Sequence, residues 1–196
     1  MRGSSRGTGA RARPSSPAFE AIAHNQQRIA EILAGVDARA VSDLVARLAA
    51  ARKIILFGRG RSGLVGRGFA MRLYHLGKNA FYVGETVTPP VDRETLVVVL
   101  SGSGETFAVA LTAQLAKESG ASVVALTARR QSRVARHADL IVEIPVPARN
   151  PRPDLAPLGT LFEQAAMQLV DGVVAELASR LGQNEADMRK RHATLE

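Results

Sequence analysis

A chain of 196 residues can build one α/β domain with a full core. Cys is absent, which excludes a disulfide framework and a thiolate metal site. Trp is also absent and aromatics make up only 4%, so Ala, Val and Leu must fill most of the interior. The formal net charge is +8, and no apolar run reaches the roughly 18 residues of a membrane span.

Residues 1–17 are a Gly/Ser/Arg/Pro stretch carrying Arg2, Arg6, Arg11 and Arg13 before the first acid, Glu20. This composition reads as a disordered basic leader, and a solvated leader is favoured over a nucleic-acid arm. It has no apolar core of a signal peptide, so a cytoplasmic protein without membrane or nucleic-acid partners is expected. From Ala18 to Leu33 apolar residues recur at helical spacing, with Phe19, Ile22, Ala23, Ile29, Ile32 and Leu33 on the stripe. This helix leads into the domain from outside and suits packing on a neighbouring subunit. After Gly35, Asp37 caps a second helix through about Ala51.

Lys53 to Phe57 (KIILF) is a short apolar, β-rich run and predicts a buried strand. A glycine turn, Gly58 to Gly63, separates it from a helix over Leu64 to Leu76. Further strands are predicted at Ala80–Val83, Leu96–Leu100, Val123–Leu126 and Leu140–Ile144, and a second glycine turn at Ser101–Gly104 precedes a helix over Glu105 to Ser119. Alternating strand and helix signals predict a parallel sheet covered on both faces. A Pro-rich loop, Arg149 to Pro157, leads into a long helix from Gly159 or Thr160 to Leu181, closed by Gly182. Its apolar stripe is wide enough for burial on more than one side. The domain is thus expected over 18–183, with 184–196 as a polar tail packing near the active site.

The first turn, Gly58-Arg59-Gly60-Arg61-Ser62-Gly63, fits the G-x-G-x-x-G spacing between a strand and a helix, and Glu85 stands where a ribose-binding acid would. By itself it suits a dinucleotide as well as a phosphomonoester, because in both cases glycine amides and a helix N-terminus receive an anion. The second turn, Ser101-Gly102-Ser103-Gly104-Glu105-Thr106, adds three hydroxyls at the end of another strand. Two such loops converging at the carboxyl ends of parallel strands favour a phosphomonoester. A nicotinamide enzyme would need a substrate domain for which too little chain remains. Gly60, Arg61, Ser62 and the whole run Ser101 to Thr106 are the expected ligands. Arg59 and Arg61 can balance the phosphate charge, and Glu85 can line the pocket.

Strand, GRGRSG, later strand, SGSGET: this pattern resembles the sugar isomerase (SIS) domain family, and within it the 6-phospho-3-hexuloisomerases. The stretches that carry the resemblance are Gly58 to Gly77, Val83 to Pro90, SGSGET, Pro157 to Asp171 (PLGTLFEQAAMQLVD) and the tail MRKRHATLE, Met188 to Glu196. It implies a flavodoxin-like three-layer α/β/α sandwich with a five-stranded parallel sheet. It further implies a homotetramer, and conversion of D-arabino-hex-3-ulose 6-phosphate to D-fructose 6-phosphate without cofactor or metal. Formaldehyde assimilation or detoxification is the implied setting, with the hexulose-phosphate synthase of the same pathway as a candidate partner.

Moving a carbonyl from C3 to C2 needs a base to carry a proton between them through a cis-enediolate. Glu163 is the candidate and matches the family's base position. On the residues alone, Thr160-Leu161-Phe162-Glu163 reads first as a capping box in which Glu163 bonds back to the Thr160 amide, and it is the resemblance that turns the reading to a base. His75 and His192 are candidates for polarising the carbonyl or opening a ring form; otherwise they are a helix-terminal and a surface histidine. A non-catalytic sugar-phosphate sensor is the competing reading, with a dinucleotide oxidoreductase behind it.

Overall fold

The computed structural model describes residues 16–195. The basic leader, except its last two residues, therefore lies outside the described residues. Two helices come first, α1 (Pro17–Ala34) and α2 (Ala38–Ala50), with Asp37 capping the second by accepting from the Arg39 amide at 2.8 Å. Then follow β1 (Lys53–Gly58), α3 (Gly60–His75), β2 (Ala80–Tyr82), β3 (Thr95–Ser101), α4 (Phe107–Glu118) and β4 (Ser122–Thr127). A 3-10 turn at Ala135–His137 precedes β5 (Leu140–Glu143), and α5 (Thr160–Arg180) and α6 (Glu185–Arg189) complete the chain.

The five strands form one parallel sheet in the order β2-β1-β3-β4-β5, with Ile55 paired to Phe81 on one side and to Val97 on the other. This is the expected flavodoxin-like order. All seven residues of β3 are buried, because helices cover the sheet on both faces. The chain leaves β1 in one direction and β3 in the opposite one, so right-handed crossovers put α3 and α4 on opposite faces. α5 packs beside α3 and also touches α1 and α2. That accounts for its wide stripe: Leu161, Phe162, Ala165, Ala166, Val170, Val173 and Leu177 are all buried. By contrast, Phe19 and Ile22 at the start of α1 stay exposed, so that end of the predicted stripe finds no cover among the described residues.

The order in which strands are added reverses between β1 and β3, and the crevice at such a reversal is where an open α/β sheet takes its ligand. Both glycine turns open onto it. α3 starts at Gly60, four residues before the predicted Leu64, which brings Arg61, Ser62 and Gly63 into its first turn. Gly63 must be glycine: a Cβ there would sit 2.8 Å from both the Gly58 carbonyl and the Tyr82 hydroxyl.

Candidate active site

The crevice is a cleft of about 320 Å³. β1 supplies Arg59 and Ser62 through its following turn, and β3 supplies Ser101, Gly102, Ser103 and Thr106. Glu163 and Phe162 enter from the first turn of α5 and Arg129 from beyond β4. Ser62 and Glu163 are separated by about 100 residues in sequence and meet only because α3 and α5 lie side by side.

The β3 loop is held by its own hydroxyls. The Gly104 amide donates to Ser101 Oγ at 3.1 Å, and the Glu105 amide donates to Ser103 Oγ at 3.2 Å. Ser101 Oγ also lies 3.3 Å from Thr106 Oγ1. The amides of Gly104 and Glu105 are thus turned into the loop, while Ser101, Gly102, Ser103 and Thr106 line the cleft. The β4 side locks it further, with the Ala128 amide donating to the Gly102 carbonyl and the Val134 amide to the Gly104 carbonyl. Gly102 lies so close to Phe162 that a Cβ would come within 2.9 Å of the ring.

Glu163 does not close a capping box. Gly159 occupies the N-cap position and makes no side-chain cap, and the Thr160 hydroxyl donates instead to the Pro157 carbonyl at 2.6 Å. That leaves the Glu163 carboxylate free to pair elsewhere, and its Oε2 lies 2.6 Å from Arg61 Nε. Its side chain is only 15% exposed and rests on Gly159, where a Cβ would be 2.6 Å from Oε1. The residue before that glycine, Leu158, is fully exposed and holds φ 53°, a left-handed conformation rare for a branched side chain. The chain is bent here to present the start of α5 to the cleft.

Several expected ligands stand elsewhere. Gly60 faces a separate hollow beside β2, along with Arg67, Tyr82 and Gly84. Glu85, next to that hollow, is ion-paired with Arg67, whose guanidinium stacks 4.2 Å from the Tyr82 ring centroid. The acid placed for a ribose is therefore occupied outside the cleft. Glu105 points away from the cleft, accepting from the Arg133 amide and pairing with its guanidinium at 3.1 Å. Gly104 is buried behind the loop.

His75 and His192 are together but distant. Their rings stack at 5.2 Å, and Arg191 Nη1 donates to the His75 carbonyl at 3.0 Å. Both line a hollow at the C-terminal end of α3. The cleft is at the N-terminal end of the same helix, and 16 residues span about 24 Å. Within its own chain the tail thus packs at the far end of α3 from the cleft, the reverse of the expected position. The tail is tied there because Arg191 bridges α3, Gln183 and the Asp187 carbonyl.

Arg129, Leu158 and Phe162 were not singled out in the sequence. Arg129 Nη1 is oriented by the Ala128 and Val146 carbonyls, at 2.7 and 3.0 Å. Its position just past the carboxyl end of a parallel strand was the available signal. Among the described residues no three His, Asp or Glu side chains gather as metal ligands would.

A family profile described as the SIS domain matches residues 47–167, which spans both loops and Glu163. The chain belongs to the SIS domain family. A 3-hexulose-6-phosphate isomerase of Methanocaldococcus jannaschii is 39% identical over 79% of this chain and 83% of its own. The Mycobacterium gastri protein of the same name is 33% identical over 87% of each chain. The crystal structure of a Methanococcus jannaschii protein, for which a molecular function of 3-hexulose-6-phosphate isomerase was inferred, superposes with a TM-score of 0.79. It shares 34% identity with this SIS protein, over 91% of this chain and 98% of that one.

Proposed function

We propose that this SIS protein is a 3-hexulose-6-phosphate isomerase, converting D-arabino-hex-3-ulose 6-phosphate to D-fructose 6-phosphate. The observation that carries the reading is one cleft holding a half-buried carboxylate, Glu163, opposite two hydroxyl-bearing loops at a topological switch point. The similarity to isomerases of that name over most of the chain supports the same reaction.

The phosphate is taken by Ser62, Ser101, Ser103 and Thr106, whose hydroxyls donate to its oxygens. The N-termini of α3 and α4 add positive potential, and Arg59 and Arg129 supply further charge. Glu163 removes the proton from C2; the bonding pair forms the C2–C3 double bond of the enediolate and the C3 carbonyl pair moves onto O3. The O2 proton passes to O3, and the O2 pair forms the new carbonyl at C2 as the double-bond pair takes the Glu163 proton at C3. Oxidation at C2 balances reduction at C3 within one molecule, so the step consumes no external reductant or oxidant.

Supplying hexulose 6-phosphate and measuring fructose 6-phosphate through a coupled assay tests the reading. Replacing Glu163 by Gln should lower kcat by about 10²–10⁴-fold while binding of fructose 6-phosphate persists. A wild-type protein that binds the hexulose phosphate without converting it would be a sensor instead.

The reading extends to a cytoplasmic homotetramer acting beside the hexulose-phosphate synthase in formaldehyde assimilation or detoxification. Exposed Leu64, Met71 and Tyr74 along α3 support self-association, since apolar side chains at that spacing favour burial against a second copy. His75 and His192 keep a catalytic role only if such a copy brings them to its neighbour's cleft. Light scattering checks the mass.

A further inference from the structure

Arg61 belongs to the loop that receives the phosphate, yet it is bound to the proposed base. It stands in the first turn of α3 directly before Ser62, and its Nε lies 2.6 Å from Glu163 Oε2. The two partners are unequally buried, with 61% of the Arg61 side chain exposed against 15% for Glu163. Among the described residues Oε2 has no hydrogen-bond partner, because the approach of Arg61 is close without having hydrogen-bond angles. The contact is therefore an ion pair that one largely exposed cation makes to a seated carboxylate.

We propose that this pair makes isomerisation conditional on the substrate's phosphate: the phosphate draws Arg61 off Glu163, and the base is free only when a phosphorylated ketose fills the cleft. The inference rests on the isomerase reading and adds the residue that ties its two halves together. The competition favours phosphate on charge alone. A phosphomonoester dianion carries up to twice the charge of a carboxylate and three acceptor oxygens, and a guanidinium pairs with it in bidentate fashion. It is also held by the α3 and α4 N-termini, next to Arg61's own backbone.

Releasing Glu163 costs little in position. Its carboxylate rests against Gly159, where there is no room for a Cβ, and it lies in the first turn of α5, whose terminal amides favour a negative charge. Glu163 can thus keep its place while its partner leaves. Arg61, being mostly in water, gives up little packing when it swings away from the Glu163 oxygen it covers. An unphosphorylated ketose of the same shape offers nothing to Arg61 and meets a base that is still paired. The specificity for phosphorylated sugars then resides in catalysis as well as in binding.

The test supplies the two halves of the substrate separately. Full-length protein is given unphosphorylated hex-3-ulose, with and without phosphite dianion as a detached stand-in for the phosphate. Phosphite should accelerate the wild type. Arg61→Ala should turn over the unphosphorylated ketose about fivefold faster than wild type without phosphite, the worth of a partly exposed ion pair, and should respond weakly to phosphite. Arg61→Lys, which keeps the charge but not the fork, should restore part of the phosphite response. With hexulose 6-phosphate, Arg61→Ala should raise KM more than it lowers kcat. Slower turnover of the unphosphorylated ketose by Arg61→Ala, or equal phosphite activation of Arg61→Ala and wild type, would overturn the proposal. If the wild type fails to isomerise hexulose 6-phosphate at all, it is the isomerase reading that falls.

Discussion

Gly60 and Gly104 offer a controlled comparison, because both hold positive φ, 56° and 68°, in the two loops of the cleft. An alanine at Gly60 would meet nothing within 4 Å, so Gly60→Ala costs only the left-handed strain, about 1 kcal/mol. An alanine at Gly104 would add a clash, with its Cβ 2.2 Å from Ser132 Oγ and 2.4 Å from Ser132 Cβ. Ser132 cannot simply step aside, since its hydroxyl donates to the Arg129 carbonyl at 2.9 Å and its side chain is buried. Overpacking of this kind costs about 1–3 kcal/mol beyond the strain, for a total of about 2–4 kcal/mol. For a chain of this size, thermal denaturation should then show Tm falling by about 2–4 °C for Gly60→Ala and by about 5–15 °C for Gly104→Ala. The displaced β3 loop should also bind fructose 6-phosphate more weakly in Gly104→Ala, as titration calorimetry would measure. Equal Tm losses in the two variants would refute the reasoning, because the backbone conformation alone would then set the cost.

Other outcomes are expected from single contacts. Ser101→Ala removes one of the two acceptors of the Gly104 amide, which keeps the Ser101 carbonyl, and one hydroxyl from the cleft; stability should fall by about 0.5–1.5 kcal/mol in urea denaturation and the KM for hexulose 6-phosphate should rise. Burial works to raise the pKa of Asp139, but its bonds from Lys117 Nζ at 2.6 Å and the Val123 amide at 2.8 Å outweigh this and hold it below the usual carboxylate value. Its stabilising contribution is therefore present above the unfolded-state value of about 4 and is lost as pH falls through the depressed folded value. Asp139→Asn should flatten that part of the acid limb in a plot of Tm against pH. Arg191→Ala should release α6 and the tail from the end of α3, seen as faster hydrogen exchange over 184–195 with the exchange of β3 unchanged.

The strands were legible because burial on both faces leaves a continuous apolar signature, as in LVVVL from Leu96 to Leu100, and their parallel order followed from the helices between them. Gly58 to Gly63 and Ser101 to Thr106 could be placed at strand ends for the same reason: glycine and hydroxyl residues there contrast with the apolar run before them. The start of α3 lies four residues before the point its composition predicts, because Gly60 to Gly63 has the composition of a loop while Gly63 fits closely under Tyr82 in helical geometry.

Direction was not legible. Nothing in the local sequence distinguishes Ser103, which faces the cleft, from Glu105, which turns to Arg133, or tells whether Glu163 bonds to its own helix cap or to Arg61. Those outcomes depend on which side chains other elements bring within about 4 Å, a matter of packing between residues distant in the chain. The tail shows the same limit, since Arg191 finds the carbonyl of His75 across 116 positions. By itself the sequence determined a parallel sheet with two glycine and hydroxyl-rich turns at its carboxyl edge, because strand burial and turn chemistry are local. Only the tertiary structure decided that Glu163 shares their cleft and pairs with Arg61, and that the two histidines lie elsewhere, because pairing across the fold is set by how α3, α5 and the tail pack together.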